Sequence, residues 1–207
     1  KHRGAGVDVR LNTAVTGFEE GDQGHVAGVT LADGSTVPAD IVLVSIGIIP
    51  ETALAKDAGL PCDNGIIVDE FTRTEDPAIL AIGDCPRPRN LFCETKQRPE
   101  SVANAVDQAR TAAATLMGEE KPYDSVPWFW SNQYDVRLQM VGLSQNHDQR
   151  VVRGTPEDKG FAVFYLREGC VIAVDAVNLP LAFLVGKTLV QQRRTINPEL
   201  IEDPDTE

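Results

Sequence analysis

The sequence contains no C-x-x-C pair, and its four cysteines stand apart at Cys62, Cys85, Cys93 and Cys170. This spacing is poor for a zinc site and for disulfide exchange. We therefore predict no metal site and expect free, buried or half-buried thiols, as in a reducing compartment such as the cytoplasm. If the protein carries out redox chemistry, electrons do not leave through a cysteine pair of this chain.

Positive charge is also scarce, since 19 Lys and Arg residues against 31 Asp and Glu residues give a formal net charge of −12. A protein this acidic is a poor match for nucleic acid or for an anionic membrane surface. No apolar run is long enough to span a bilayer, and Lys1-His2-Arg3-Gly4 is not followed by the apolar core of a signal peptide. We expect no nucleic-acid partner and no membrane association. Because the sequence begins without an initiator Met, we expect a fragment or a processed product.

Alternating residues near the start of the chain predict strands. Residues 26–32 and 35–40 flank Asp33-Gly34, a pair typical of a tight hairpin turn, which needs positive φ. Residues 7–11 alternate in the same way. The uninterrupted apolar run at residues 41–46 predicts a central strand of a parallel sheet, buried on both faces.

Ser101 begins the clearest helix pattern. Ser101 is a good N-cap, Gly118 is a good C-cap, and apolar residues recur on one face at Val102, Ala105, Val106, Ala109, Ala113 and Leu116. Shorter patterns predict a helix at residues 51–58 and a strand at 65–69. After a Pro-containing linker, the pattern changes to antiparallel strands and a last helix, at residues 136–141, 149–153, 161–167, 171–177 and 181–194. The fold class is therefore α/β followed by α+β.

Residues 72–84, Thr-Arg-Thr-Glu-Asp-Pro-Ala-Ile-Leu-Ala-Ile-Gly-Asp, run from an apolar segment into a Gly-Asp pair. The apolar residues 78–82 are typical of a buried strand. Gly83 lets a ligand approach the backbone, and Asp84 stands where open α/β sheets bind their ligands. An ionised Asp accepts hydrogen bonds from sugar-type hydroxyls. The alternative is a buried strand that ends at a helix N-cap.

Residues 98–105, Arg-Pro-Glu-Ser-Val-Ala-Asn-Ala, lead into the predicted helix. A helix N-terminus carries partial positive charge and free N–H groups, so the start at Ser101 and Val102 can stabilise a negative charge on a ligand. Glu100 stands beside this start. Taken alone, Glu100 can also be an acid that is simply favoured at a helix N-terminus.

Residues 45–50, Ser-Ile-Gly-Ile-Ile-Pro, end the predicted central strand. Gly47 can turn sharply under a nucleotide, and Pro50 fixes the exit of the chain. A plain strand–turn–helix corner has the same pattern. Residues 127–134, Pro-Trp-Phe-Trp-Ser-Asn-Gln-Tyr, form an aromatic cluster, and such clusters more often belong to a core than to a cofactor site.

Together these segments resemble motifs of flavoproteins with two dinucleotide-binding domains, in particular the oxygenase-coupled ferredoxin reductases, which include putidaredoxin, rubredoxin and biphenyl-dioxygenase reductases. Residues 72–84 resemble the second flavin-contacting motif. Residues 98–105 resemble R-x-E-S-x-x-N-A. Residues 45–50 resemble (V/I)-G-x-x-P-N, with Glu51 in place of Asn, and residues 127–134 resemble F-W-S-D-Q, with Asn132 in place of Asp.

The resemblance implies FAD and NAD(P)H as cofactors. Asp84 with Gly83 would hold the ribitol chain of FAD, and the helix start at Ser101 and Val102 would face the flavin pyrimidine. Trp130 would pack by the isoalloxazine ring.

The same resemblance places three further residues near the nicotinamide nucleotide. Glu100 would lie near the nicotinamide and flavin rings, and Gly47 with Ile48 would contact NAD(P). We expect no catalytic acid, base or nucleophile among the residues of this chain, because the cofactor performs the redox chemistry.

The implied architecture has three parts. Residues 1–60 would be the C-terminal part of an NAD(P)-binding domain, residues 61–125 the C-terminal part of an FAD-binding domain, and residues 126–207 a C-terminal reductase domain with an antiparallel sheet and a terminal helix. The first two would be the back halves of Rossmann-like domains. Because the chain has no G-x-G-x-x-G fingerprint, the turns that bind pyrophosphate are absent, and we expect an inactive fragment that binds neither dinucleotide well alone.

The implied electron acceptor is a ferredoxin or rubredoxin, an acidic iron–sulfur protein that would need a basic patch. Candidates for that patch are Arg137, Arg150, Arg153, Arg193 and Arg194. Apolar faces that normally meet the missing half should be exposed, so we expect a homodimer of the fragment. Alternatives are a monodehydroascorbate-reductase-like or apoptosis-inducing-factor-like flavoprotein, or a non-catalytic module that self-associates.

Overall fold

The computed structural model describes residues 1–89, 92, 97–158 and 160–203. The chain divides into two units, residues 1–49 and residues 50–207. The strands are β1 (Val15–Glu20), β2 (Val26–Leu31), β3 (Thr36–Pro38), β4 (Ile66–Val68), β5 (Pro86–Pro88), β6 (Trp128–Gln133), β7 (Val136–Gly142), β8 (Gln149–Arg153), β9 (Phe161–Arg167) and β10 (Cys170–Val177). The helices are α1 (Ala53–Asp57), α2 (Val102–Leu116), α3 (Pro180–Gln192) and α4 (Pro198–Glu202). Within the described ranges, no helix has the length and apolar character needed to cross a membrane.

A three-stranded antiparallel sheet in the order β1-β2-β3 forms the centre of the first unit. The predicted hairpin is confirmed, because Thr30 of β2 pairs with Thr36 of β3. In the turn, Gly34 has a φ of 82°. The Asp33 carboxylate accepts hydrogen bonds from the hydroxyl of Ser35 at 2.6 Å and from its amide at 2.9 Å. These bonds lower the pKa of Asp33, because they stabilise the ionised carboxylate.

The predicted central strand at residues 41–46 is wrong for this structure. The segment has no regular secondary structure, and the side chains of Ile41 and Ile46 are 89% and 91% exposed. A strand needs a neighbour to satisfy its backbone hydrogen bonds, and in the described residues of this unit β1, β2 and β3 pair with one another. Residues 7–11, also predicted as a strand, lack a partner strand in the same way.

The second unit begins with α1 and a short parallel strand pair, β4 with β5, where Ile66 lies opposite Pro86. The predicted helix at residues 51–58 and the predicted strand at 65–69 are confirmed by α1 and β4. Ala55 of α1 and Ile66 and Val68 of β4 form a small core together with Ala81.

The predicted strand at residues 78–82 is wrong. The segment makes a single isolated bridge, between Leu80 and Arg73, while β5 takes the position beside β4. Parallel strands need regular pairing along their length, and residues 78–82 have no such neighbour among the described strands. The segment nevertheless contributes Ala81 to the small core.

Helix α2 confirms the predicted helix and its Ser101 N-cap, but the face on which apolar residues recur is not its buried face. The Ser101 hydroxyl accepts a hydrogen bond from the Asn104 amide at 3.0 Å. The apolar face is largely exposed, with Val102 at 64% and Leu116 at 77%. The buried face consists of small and polar residues: Ala103, Asn104, Gln108, Thr111, Ala112 and Ala114. Hydrogen bonds, rather than apolar burial, decide which side of α2 points inward.

The C-terminal part of the second unit is an antiparallel sheet in the order β6-β7-β10-β9-β8. All four predicted strands are confirmed, and β6 adds a fifth that runs through the aromatic cluster. The Glu168-Gly169 turn joins β9 to β10 with φ values of 52° and 77°. Helix α3 confirms the predicted last helix and packs on β10 and β7. The main core lies between this helix and the sheet and includes Val141, Phe164, Val174 and Phe183.

Gly186 allows α3 to approach β10 closely. A Cβ atom at this position would lie 2.6 Å from Cγ2 and 2.9 Å from Cβ of Val174. Such distances are shorter than van der Waals contact, and Val174 is fully buried in the sheet, so it cannot move aside without disturbing the core.

We predict that Gly186→Ala lowers the free energy of unfolding by about 1–2 kcal/mol, because steric overlap outweighs the better helix propensity of alanine. Urea unfolding would measure this change. The additional substitution Val174→Ala removes the methyl groups that the added Cβ would meet, so the double variant should be less destabilised than the sum of the two single variants. Strict additivity would contradict the proposed overlap.

Candidate functional site

Asp84 stands on an exposed loop directly after Gly83. Gly83 has a φ of 93°, which favours glycine. The strand β5 follows this loop, and the next helix along the described chain is α2. Asp84 is therefore not a helix N-cap, and its carboxylate is open to solvent rather than used to cap the backbone.

Two buried amide side chains of α2 hold the main chain of Gly83. Oε1 of Gln108 accepts a hydrogen bond from the Gly83 N–H at 2.8 Å, and Nδ2 of Asn104 donates one to the Gly83 carbonyl at 3.0 Å. Gln108 also donates from Nε2 to Oδ1 of Asn104 at 2.7 Å. Both side chains are buried, so water does not compete for these bonds. The loop that carries Asp84 is thereby fixed to helix α2.

Asn104 is the centre of this buried network. Its Oδ1 accepts a second hydrogen bond from the hydroxyl of Tyr123 at 2.8 Å, and its Nδ2 donates a second bond to the carbonyl of Pro99 at 2.9 Å. With two bonds accepted and two donated, the Asn104 amide is fully satisfied. The network therefore joins the Gly83 loop, the approach to α2 and the segment at Tyr123.

The N-terminus of α2 opens onto a cleft. The Ser101 hydroxyl caps the Asn104 amide, while the earlier amides, those of Val102 and Ala103, have no acceptor within the helix. Glu100 and Ser101 line a cleft of about 310 Å³. Trp128 and Phe129 of β6 line another part of the same cleft, so the helix start and the aromatic cluster are brought together.

Trp130 is not among the residues that line this cleft. Its ring packs on Trp128, with centroids 5.4 Å apart, and Trp128 in turn packs on Phe183 of α3 at 5.9 Å. The Nζ atom of Lys187 lies 5.3 Å from the Trp128 ring centroid. Trp130 thus belongs to an aromatic stack on β6.

Gly47 and Ile48 lie in the first unit, in the segment without regular secondary structure. Gly47 has a φ of 108°, which favours glycine. Ile48 is exposed. Both residues are therefore accessible on the surface of that unit.

An acidic side chain of β10 also lines the cleft. The Asp175 carboxylate accepts a hydrogen bond from the Tyr165 hydroxyl at 2.9 Å. Burial raises the pKa of Asp175, and the bond from Tyr165 lowers it by less. Burial also raises the pKa of Tyr165, which Asp175 raises further. The ring of His147 meets Tyr165 edge-on at 5.1 Å.

Sequence reasoning missed Gln108, Tyr123 and Asp175. Two signals were present. Asn104 and Gln108 are two amides one turn apart on a helix, and Asp175 interrupts an apolar strand. Such exceptions to a regular pattern often mark a buried polar contact. No local signal indicated Tyr123, because its partner Asn104 lies 19 positions away.

The predicted thiols are confirmed for Cys62, Cys85 and Cys170, which are free and half-buried. Cys93 lies outside the described residues. Burial raises the pKa of the Cys85 thiol, which keeps it protonated and weakly nucleophilic.

The candidate arginines do not share one face. Arg150 and Arg153 are three positions apart on β8, so they point to opposite faces of the sheet. Arg153 donates from Nη1 to the carbonyls of Ile201 at 3.3 Å and Asp203 at 2.9 Å, which holds α4 against the sheet. Arg193 and Arg194 are adjacent at the end of α3.

We predict that Gln108→Leu lowers the free energy of unfolding by about 1–3 kcal/mol, because the Gly83 N–H loses a buried acceptor. Chemical denaturation would measure the change. Arg110→Gln on the exposed side of the same helix is the matched control and should change stability by less than about 0.5 kcal/mol. Equal stability of the Gln108→Leu variant and the control would contradict the structural role of the amide pair.

We predict that Asp175→Asn, compared with the native protein, raises the free energy of unfolding more at neutral pH than at acid pH. The ordinary pKa of 3.8 is raised in the folded state, so folding binds a proton, and the native Asp175 loses stability as pH rises from about 3.8 through the raised pKa. A plot of the free energy of unfolding against pH should have a shallower slope in this region for Asp175→Asn. Tyr165→Phe removes the hydrogen-bond donor to Asp175 and should make this slope steeper. Identical profiles for all three proteins would contradict the assignment.

Two family models match the chain. The pyridine nucleotide-disulphide oxidoreductase model matches residues 1–109, and the reductase C-terminal model matches residues 128–207. Among curated relatives, the 5,5'-dehydrodivanillate O-demethylase ferredoxin reductase subunit of Sphingobium sp. (strain NBRC 103272 / SYK-6) is 49% identical over 207 residues, covering 100% of this chain and 50% of the relative. Putidaredoxin reductase CamA of Pseudomonas putida is 46% identical over 203 residues, covering 98% and 48%.

Solved structures agree in fold. The ferredoxin reductase for the CYP199A2 system from Rhodopseudomonas palustris has a TM-score of 0.92 at 40% identity, covering 100% of this chain and 51% of that one. The covalent putidaredoxin reductase–putidaredoxin complex also has a TM-score of 0.92, at 46% identity, covering 98% and 49%. The chain spans about half the length of the relatives that it matches. These 207 residues therefore belong to the pyridine nucleotide-disulphide oxidoreductase family and carry its reductase C-terminal domain.

Proposed function

We propose that these residues form the C-terminal half of a reductase that takes electrons from NAD(P)H, through FAD, to a ferredoxin or rubredoxin. The exposed Asp84 carboxylate, on a loop fixed to the N-terminal end of α2, carries this proposal. Relatives named as ferredoxin or putidaredoxin reductases match nearly the whole chain. In this proposal, the two glycine-rich fingerprints come from another part of the same protein.

The loop at Gly83 fits the ribitol chain of FAD. Ribitol offers several hydroxyl donors, and an ionised carboxylate can accept hydrogen bonds from more than one of them. No Cβ obstructs the approach at Gly83, where the surrounding space is open. Because Asn104 and Gln108 already hold the loop, little conformational entropy is lost when the ligand binds.

The start of α2 fits the pyrimidine end of the flavin. The amides of Val102 and Ala103 lack acceptors within the helix, and the partial positive charge of the helix N-terminus favours negative charge. A flavin becomes anionic at this end on reduction, so these groups would stabilise the reduced cofactor. Glu100 lies beside them in the same cleft.

The remaining cofactor contacts are proposed from the family motifs. Gly47 and Ile48, exposed in the first unit, would contact NAD(P). Trp130 would shield an edge of the flavin ring system from its place in the aromatic stack of β6. In the same proposal, residues 1–60 and 61–125 are the back halves of the NAD(P)- and FAD-binding domains, and residues 126–207 are the C-terminal reductase domain.

Bound FAD would supply the redox chemistry, accepting two electrons from NAD(P)H and releasing them one at a time to the iron–sulfur protein. The residues of this chain would bind and orient the flavin. Near the end of α3, Arg193 and Arg194 offer positive charge for an acidic ferredoxin, whereas Arg153 is occupied in holding α4. Exposed apolar residues such as Ile41 and Leu116 would also favour a homodimer of the isolated chain.

We predict that Asp84→Asn, in the full-length protein that carries these residues, weakens FAD binding by about 10–100-fold, because hydrogen bonds to a charged group are worth about 1.5–3 kcal/mol. Titration of the apoprotein with FAD, followed by flavin fluorescence, would measure the change. NAD(P)H-dependent reduction of a ferredoxin at saturating FAD would test the activity.

The matched control is Glu75→Gln, which also removes one acidic charge from an exposed position of the same segment. The control should bind FAD as tightly as the unchanged protein. A full-length protein without any flavin absorption after reconstitution would contradict the proposed function itself. Equal FAD affinity of Asp84→Asn and the control would contradict the role of Asp84.

A further inference from the structure

Arg98 connects three separate loops of the second unit, and its side chain is only 6% exposed. Its Nε donates a hydrogen bond to the main-chain carbonyl of Asn64 at 3.1 Å. Its Nη1 donates to the main-chain carbonyl of Asp84, and its Nη2 forms an ion pair with the carboxylate of Glu100. We propose that Arg98 is a positioning residue that sets both the affinity for FAD and the charge beside the flavin; this inference rests on the proposed function.

The geometry requires arginine rather than a generic cation. The guanidinium is a planar fork that donates from three nitrogen atoms in fixed directions, and here each nitrogen meets a different partner. The ammonium group of lysine is a single point of charge on a flexible chain and cannot reach three separated acceptors in this arrangement.

The adjoining backbone leaves room for this side chain at Gly65. A Cβ atom on Gly65 would lie 2.8 Å from Cδ of Arg98 and 2.8 Å from the carbonyl oxygen of Cys85, and Gly65 has a φ of 127°. Both the space and the backbone conformation therefore favour glycine at this position. The position of the Arg98 side chain beside the Asp84 loop therefore depends on glycine at residue 65.

Arg98 helps to fix the loop at Gly83 and Asp84, which would hold the ribitol chain of FAD. Arg98 holds the carbonyl of Asp84, while Gln108 and Asn104 hold the N–H and the carbonyl of Gly83. Three main-chain groups of this two-residue segment are thus fixed before any ligand arrives. Loss of Arg98 would release one of them, so more entropy would be lost on binding and the affinity for FAD would fall.

The second consequence concerns the charge of Glu100. Glu100 lies in the cleft at the start of α2, where the proposed flavin would become anionic on reduction. The guanidinium of Arg98 offsets the negative charge of Glu100. Without Arg98, an unpaired carboxylate would face the reduced flavin, and like-charge repulsion would make the flavin harder to reduce.

These two consequences can be separated by substitution in the full-length, FAD-loaded protein. Arg98→Met removes both the fork and the charge, so FAD should bind at least about 10-fold more weakly and the flavin midpoint potential should fall. Arg98→Lys keeps a positive charge near Glu100 without the fork, so the potential should be largely restored while the affinity stays low. Arg98→Met with Glu100→Gln should likewise restore the potential without restoring the affinity.

Arg110→Met is the matched control, because Arg110 lies on the exposed side of α2 and pairs with Asp107. This control should leave both the affinity and the potential unchanged. Affinity is measured by titration of the apoprotein with FAD, and potential by spectrophotometric redox titration. If the starting protein binds no FAD, the proposed function fails rather than this inference.

Two results would overturn the inference while leaving the proposed function intact. One is an Arg98→Met protein with unchanged affinity and potential. The other is a loss of affinity with a potential that responds neither to Arg98→Lys nor to Glu100→Gln, which would reduce Arg98 to a structural residue. If Arg98→Met does not fold, the other two variants still test the inference. Arg98→Lys must then lower the affinity for FAD, and Glu100→Gln must raise the midpoint potential of the flavin.

Discussion

The site depends on the hydrogen bonds between two side-chain amides of α2 and the main chain of Gly83. Gln108 and Asn104 bind the two main-chain groups of this glycine and each other. Because Asn104 has no remaining hydrogen-bonding capacity, the loop cannot shift without leaving a buried polar group unpaired, which costs more than the bond itself contributes. The loop that carries Asp84 and the helix N-terminus at Ser101 are therefore held together.

Features that a few neighbouring residues decide were predicted from the sequence. The Asp33-Gly34 hairpin and the Ser101 cap depend on positive φ or on one local hydrogen bond. The apolar runs at residues 41–46 and 78–82 were predicted as strands and are not strands. Their composition indicates burial on both faces, but a strand also needs partner strands on its edges. The residues of a segment do not show which other strands will lie beside it.

The inward face of α2 does not follow from its hydrophobic periodicity. Hydrophobic periodicity selects the side with Val102 and Leu116, yet that side is exposed and the amide side is buried. Polar residues in the middle of a helix usually count against burial, and here they are buried because Gly83 and Tyr123 supply partners from far along the chain. The motif at residues 72–84 drew attention to Asp84, but neither the irregular segment before it nor the network that fixes its loop was predicted from the sequence.

The charges at the site would allow an acidic protein to hold the anionic cofactor proposed for it. The chain has a net charge of −12, and Asp84 and Glu100 add negative charge where the proposed flavin would lie. The amides at the start of α2, which have no acceptor within the helix, and the guanidinium of Arg98 oppose this locally. Because buried or partly buried charges are screened far less than surface charges, these few groups outweigh the distant excess of acids. The potential of the flavin would then follow the Arg98–Glu100 pair rather than the net charge of the protein.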